Sequence, residues 1–168
     1  MTKQSDSNLV TSVRQRLLNI RNATGADYNA LLTQYAIERF LYRLSMSNLS
    51  DQFVLKGAML FRVWSGTLHR PTKDLDLLGH GDSSPEAVAA TVGQLITTVV
   101  ADDGMTFDPS TIDSQKIRED QGYEGVRVLL TASLGSARIP MQIDIGFGDA
   151  ITPEAEVNPY PTLLDMDA

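Results

Sequence analysis

The run Asp74-Leu75-Asp76-Leu77-Leu78 restricts the fold more than any other part of this chain. Acids and aliphatics alternate with the side-chain period of an extended strand, so both carboxylates face one side and Leu75 and Leu77 the other. Residues two apart on a strand lie about 6.6 Å apart along its axis. Carboxylates at that spacing suit hard divalent cations, because magnesium takes a few carboxylate oxygens together with substrate phosphates and retained waters. Two such ions about 3.5–4 Å apart stabilise both the attacking and the leaving oxygen of a phosphoryl or nucleotidyl displacement.

The residues upstream supply the rest of such a site. Phe53, Val54 and Leu55 form a short apolar run that stops at Lys56-Gly57, after which Ala58, Met59, Leu60, Phe61, Val63 and Trp64 recur with helical spacing. The order is strand, tight turn, helix, a polar break at Leu68-His69-Arg70-Pro71-Thr72, then the acidic strand. A glycine between strand and helix lets the backbone approach a triphosphate closely, and the helix N-terminus offers N–H groups and partial positive charge. Lys56, Arg70 and Lys73 place cations around the same turn.

A third acid follows the same logic. In Met141-Gln142-Ile143-Asp144-Ile145-Gly146-Phe147, the isoleucines and Phe147 share one face and Gln142, Asp144 and Gly146 the other. An isolated carboxylate buried in an apolar strand is costly. Asp144 escapes that cost most simply by facing Asp74, Asp76 and a metal.

The segments LKGAMLFRVW, RPTKDLDLLG and QIDIGFGD resemble the motifs of the AbiEii/AbiGii nucleotidyltransferase toxins, within the polymerase β-like nucleotidyltransferase superfamily. The resemblance runs from about Tyr28 to the final PYPTLLD. It implies an α/β (α+β) fold, a nucleotidyltransferase-like mixed β-sheet flanked by helices. It also implies that Asp74, Asp76 and Asp144 are catalytic and hold Mg2+, two ions being expected. Lys56, Gly57 and Ala58, with Arg70, Thr72 and Lys73, would bind the nucleotide phosphates of an NTP substrate. The implied biology is a toxin of a toxin–antitoxin or abortive-infection system. It would move a nucleotide from an NTP to an acceptor such as the 3′ end of tRNA or another RNA, and a cognate antitoxin is an expected partner. Two features depart from the family pattern. Gly57 is followed by Ala58 rather than serine, which leaves only backbone donors there, and the family's later Ala-Glu-Lys and Lys-Asp-x-x-Asp segments are not found.

The remaining sequence bounds this reading. The length suits one domain, divided here as a nucleotidyltransferase domain with N-terminal helices over 1–150 and an extended tail over 151–168. The tail, with Pro153, Pro159 and Pro161, is expected to be poor in core residues and to link to an absent C-terminal helical region. The absence of cysteine excludes disulfides, thiolate metal sites and a cysteine nucleophile. His69 and His80 have no second histidine at ligand spacing, which argues against zinc. A net charge of −7 argues against broad nucleic-acid coating but leaves room for a local basic funnel. No stretch approaches the ~20 apolar residues of a membrane span, and MTKQSDSNLV lacks a signal-peptide core, so a cytoplasmic location and no membrane partner are expected.

Periodicity predicts the surrounding elements. An amphipathic helix carries Leu9, Val13, Leu17, Leu18 and Ile20, with Arg14, Arg16 and Arg21 on its solvated face. A second helix, capped by Asp27 or Asn29, runs to about Met46, and a third starts with Ser84 as cap and Pro85 in its first turn. Asp102 and Asp103 read as turn residues. Met105–Asp108 reads as a short strand bounded by Pro109, Thr111–Glu119 as another, and Tyr123–Leu134 pairs with Arg138–Phe147 as a hairpin that delivers Asp144. Asp149 falls just past it as a loop residue. The leading function is a magnesium-dependent nucleotidyltransferase. The alternative is a catalytically inactive fragment acting as a nucleotide-binding or antitoxin-interaction module.

Overall fold

The computed structural model describes residues 2–66, 72–118, 124–148 and 154–167. Helices α1 (Thr2–Thr24) and α2 (Tyr28–Met46) precede strand β1 (Phe53–Lys56), the short helix α3 (Met59–Ser65) and strand β2 (Asp74–Gly79). Helix α4 (Pro85–Ile96) then leads into β3 (Met105–Arg118), β4 (Glu124–Leu134) and β5 (Ala137–Phe147). The caps follow the expected chemistry. Asp27 accepts a hydrogen bond from the Ala30 amide at 2.9 Å, and Ser84 accepts from Ala87 at 3.3 Å ahead of Pro85.

Among the described residues the fold is α+β, with one five-stranded sheet in the order β1-β2-β5-β4-β3. The sheet is mixed: β2 and β5 run parallel, and every other neighbouring pair is antiparallel. Alternation assigns one face to the core. Leu75, Leu77, Ile143, Ile145, Val126 and Val128 lie beneath α2 and α4, and Val13 and Leu17 of α1 complete the same cluster. The opposite face carries Asp74, Asp76, Gln142, Asp144 and Arg127, half-buried or exposed. No described helix is long and apolar enough to cross a membrane.

The structure departs from the sequence reading in several places. The two short strands expected around Pro109 are one strand, β3, whose register shifts between Asp108 and Asp113. Pro109 has no amide hydrogen for the ladder and sits in that irregular stretch. Asp108 accepts from the Ser110 amide at 2.9 Å, and the Thr131 amide donates to Thr111 Oγ1 at 2.8 Å, so a side chain completes the β4 ladder.

In α3 the buried positions are not simply the apolar ones. Met59 and Arg62 are buried, whereas Phe61 and Trp64 are exposed and pair edge-to-face with centroids 6.0 Å apart. Arg62 is inside because its Nε donates to the Pro161 carbonyl at 2.7 Å and its Nη2 pairs with Glu38 at 3.2 Å.

The tail is also less detached than expected. Residues 154–167 form no helix or strand, yet Leu164 is buried and Tyr160, Leu163 and Met166 pack on the core. Glu38 accepts from the Leu163 amide, and Arg39 Nη2 donates to the Asp167 carbonyl at 2.8 Å. Proline spacing carries no information about such docking, which depends on buried charges of α2 waiting for backbone partners. Asp102 does act in the turn, accepting from Gly104 at 3.0 Å, but Asp103 is buried in a two-pronged pair with Arg43 at 2.8 and 3.2 Å.

Candidate active site

The strand–turn–helix unit is built around Gly57, whose φ of +72° lies in the left-handed region. Space requires glycine there as well. A Cβ at this position would run into the Asp76 side chain, with Asp76 Cβ and Cγ 3.0 Å away. The turn therefore sits directly against the second acid of β2. Ala58 follows in right-handed helical conformation, with no side-chain cap, and α3 begins at Met59.

Sheet register assembles the other groups. Lys56 of β1 lies opposite Asp76, Asp76 opposite Asp144 of β5, and Asp144 opposite Arg127 of β4. One line perpendicular to the strands thus carries four charged residues on the open face. Asp74 lies on the neighbouring line, opposite Gln142. Asp74 is exposed and Asp76 is half-buried, as their places at and just inside the strand entrance dictate.

Asp144 is held from two sides. Arg127 donates Nε to Oδ1 and Nη2 to Oδ2, both at 2.8 Å, and Gln142 Nε2 donates to Oδ2 at 3.3 Å. The Arg127 guanidinium is held above its ordinary pKa, first by the hydrogen bonds to Asp144, then by the charges of Asp144, Asp74 and Asp76. One cation therefore feels all three acids. Arg127 was not singled out from the sequence. The signal was available, because a charge between Val126 and Val128 faces the same cost that pointed to Asp144, and a lone cation opposite an acid removes it.

Among the described residues, no group of three or more His, Cys, Asp or Glu side chains is close enough together to hold a metal ion. The donor chemistry nevertheless fits magnesium, since all three acids offer hard oxygen. Asp74, Asp76 and Asp144 carry that oxygen, and each Asp144 oxygen accepts a hydrogen bond from Arg127. Thr72 is half-buried and Lys73 exposed at the entrance to β2. Arg70, His69 and Asp149 lie outside the described residues. His80 is exposed beyond the far end of β2.

A mixed sheet with a glycine turn packed on one acid, a second acid two residues before it and a third across the parallel neighbour has the arrangement of a nucleotidyltransferase-like domain. Residues 39–168 match the family model described as the nucleotidyl transferase AbiEii toxin, Type IV TA system. The chain belongs to the AbiEii family. Among solved structures, a protein of H. pylori described as a nucleotidyltransferase matches with a TM-score of 0.48 and 18% identity over 76% of this chain and 49% of its own. JHP933 from Helicobacter pylori matches with a TM-score of 0.44 and 18% identity over 73% of this chain and 46% of its own. The chain thus spans about half the length of these two proteins. No curated protein matches it.

Proposed function

We propose that this chain carries the catalytic sheet of a metal-dependent nucleotidyltransferase, the toxin of a toxin–antitoxin pair, which transfers a nucleotide from an NTP to an acceptor such as an RNA 3′ end. The observation that carries the reading is the packing of the Gly57 turn against Asp76, with Asp144 in register on the parallel strand. Family membership supports the same chemistry.

In this reading the backbone N–H groups of Gly57 and Ala58 and the ammonium of Lys56 hold the triphosphate, with Arg70, Thr72 and Lys73 as further contacts. Asp74 and Asp76, with Asp144 once it is released from Arg127, would hold magnesium. Bound magnesium supplies charge stabilisation to the phosphates and lowers the pKa of the attacking hydroxyl. The hydroxyl oxygen bonds to the α-phosphorus, its proton passes to a site carboxylate, and the bridging bond to the β-phosphate breaks with its electrons leaving on pyrophosphate. Arg127, released from Asp144, becomes a guanidinium for the negative charge of that step. The expected location is the cytoplasm, and the expected partner is a cognate antitoxin.

Isothermal calorimetry with each NTP, with and without magnesium, tests the proposal. Magnesium-dependent binding that disappears in Asp74→Ala/Asp76→Ala is the expected result, and binding untouched by that double change would sink the assignment. The bidentate Arg127–Asp144 pair favours a second reading, a nucleotide-binding or antitoxin-facing module without turnover. In that case NTP binds without magnesium and is not consumed.

A further inference from the structure

Helix α3 is too short to hold its own place. Its seven residues fall well below the roughly 12–15 at which an isolated helix becomes marginally stable, and Ala58 offers no side-chain oxygen to cap it. Its position therefore comes from what it buries, which is Met59 and Arg62. Both meet the tail. The Tyr160 hydroxyl donates to Met59 Sδ at 3.8 Å, and the centre of the same ring lies 5.7 Å from the Arg62 guanidinium.

Arg62 is the more demanding of the two anchors. Its Nε donates to the Pro161 carbonyl at 2.7 Å, and its Nη2 pairs with Glu38 of α2 at 3.2 Å. Glu38 in turn accepts from the Leu163 amide with both oxygens, at 3.2 and 3.0 Å, and from Gln34 Nε2 at 3.2 Å. One guanidinium thus joins α3, α2 and the tail. As a source of stability this is a poor choice, because the desolvation of two buried charges offsets their attraction, and an apolar side chain of similar volume anchors as firmly. What an apolar anchor lacks is direction. The planar fork, with two N–H groups on partners from different segments, fixes both the rotation of α3 and its place along its own axis.

The group that this orientation controls lies five positions upstream. Gly57 and Ala58 lead into α3 without a break, the Leu60 and Phe61 amides donating to their carbonyls at 3.1 and 3.2 Å. β1 ends at Lys56 opposite Asp76, so the turn leaves the sheet there and runs toward the Asp74 end of β2. With Asp76 Cβ 3.0 Å from where a Gly57 Cβ would stand, turn and carboxylate have no slack between them. Any rotation of α3 moves the turn's backbone amides relative to Asp74 and Asp76.

We infer that Arg62 is a positioning residue for the NTP site, and that the tail from Tyr160 to Leu163 belongs to the catalytic unit through it. Arg62 acts on the reaction through the Gly57 turn, which it holds in place beside the carboxylates. The inference rests on the nucleotidyltransferase reading and adds to it what keeps the phosphate-binding turn in register with the acids.

The test compares like changes in two buried arginines of the full chain. Arg62→Lys keeps a charge beside Glu38 but replaces the fork by a single ammonium. Arg43→Lys makes the same change in a side chain held instead by Asp103 and by the Arg39 and Met105 carbonyls. Tyr160→Ala loosens the clamp from the tail side and leaves α3 itself unaltered. Each protein is assayed well below its unfolding midpoint, so that folded molecules alone are compared. Calorimetric NTP binding with magnesium should weaken about ten-fold in Arg62→Lys and in Tyr160→Ala, since a displacement of about 1 Å in a site costs up to ~100-fold, and should be unchanged in Arg43→Lys. Amide exchange of the ligand-free proteins should quicken at Leu60 and Phe61 in the first two variants and not in the third. Parent-like NTP affinity in Arg62→Lys overturns the inference and leaves the nucleotidyltransferase reading standing. An equal loss of affinity in Arg43→Lys also overturns it, because the clamp is then a general support of the fold. A parent that binds no NTP overturns the underlying reading and this inference with it.

Discussion

Two groups of charged residues on opposite sides of the sheet invite comparison. On the open face, Asp74, Asp76, Asp144, Lys56 and Arg127 lie along the strands, and the Arg127 and Asp144 side chains are 35% and 15% exposed. Under α2, Glu38, Arg39, Arg43, Arg62 and Asp103 are all buried. The buried group is tied to backbone at most turns: Arg43 to the Arg39 and Met105 carbonyls, Arg62 to Pro161, Glu38 to Leu163. Arg39 is the partial exception, since its Nε has no partner among the described residues while its guanidinium lies over the Tyr35 and Tyr42 rings. On the open face, Arg127 is paired with Asp144 and feels the charges of Asp74 and Asp76 as well. The same residue types thus do different jobs. Buried charges satisfied by backbone fix the docking of the tail and of α3 on α2, whereas the open-face carboxylates lie in the field of one partly solvated arginine.

This contrast is open to direct attack. Asp103→Ala should have the largest effect, because it leaves Arg43 buried without its counter-charge. A loss of about 3–5 kcal/mol in urea unfolding is expected, and a loss below about 1 kcal/mol would remove the distinction between the two groups.

Glu38 tests the buried group by pH. Burial pushes its carboxyl up to about 7 against the pull of the Leu163 amide and Arg62. The folded state therefore holds the proton more tightly than the unfolded state. The contribution to stability is fully present below the ordinary value of 4.5 and is lost as pH rises through about 7. Thermal unfolding across that window should show the parent losing up to roughly 3 kcal/mol relative to Glu38→Gln. Parallel pH profiles for the two proteins would refute the assignment.

Gly57→Ala sharpens the contrast at the turn. Forcing a side chain into positive φ against Asp76 should cost about 1–3 kcal/mol and abolish NTP binding, as read by denaturation and calorimetry. The smallest stability effect is expected for Arg127→Gln, below about 1 kcal/mol because the pair is partly solvated. Its magnesium affinity should rise, since Asp144 loses the cation that competes for its oxygens. Weaker magnesium binding would instead make Arg127 a support for the metal site.

Much of the architecture was legible because periodicity is local. The period of two in β2 and β5 separated Asp74, Asp76 and Asp144 from Leu75, Leu77, Ile143 and Ile145 before any contact was known. The Asp27 and Ser84 caps followed from residues a few positions apart. The errors arose where a partner distant in sequence decided the outcome. Arg62 turns inward because Glu38 and Pro161 are there, and Phe61 and Trp64 are left outside in consequence. The bulge in β3 joins two stretches because Thr111 can lend its hydroxyl to the β4 ladder.

What the sequence determined by itself is therefore the set of strands and helices and the face on which each acid lies, since side-chain period and capping act over a few residues. Only the tertiary structure decided which charges meet. Register between β2, β5 and β4 brought Asp76, Asp144 and Arg127 into one line. Charges attract without regard to sequence separation, so their partners become fixed only when the sheet closes.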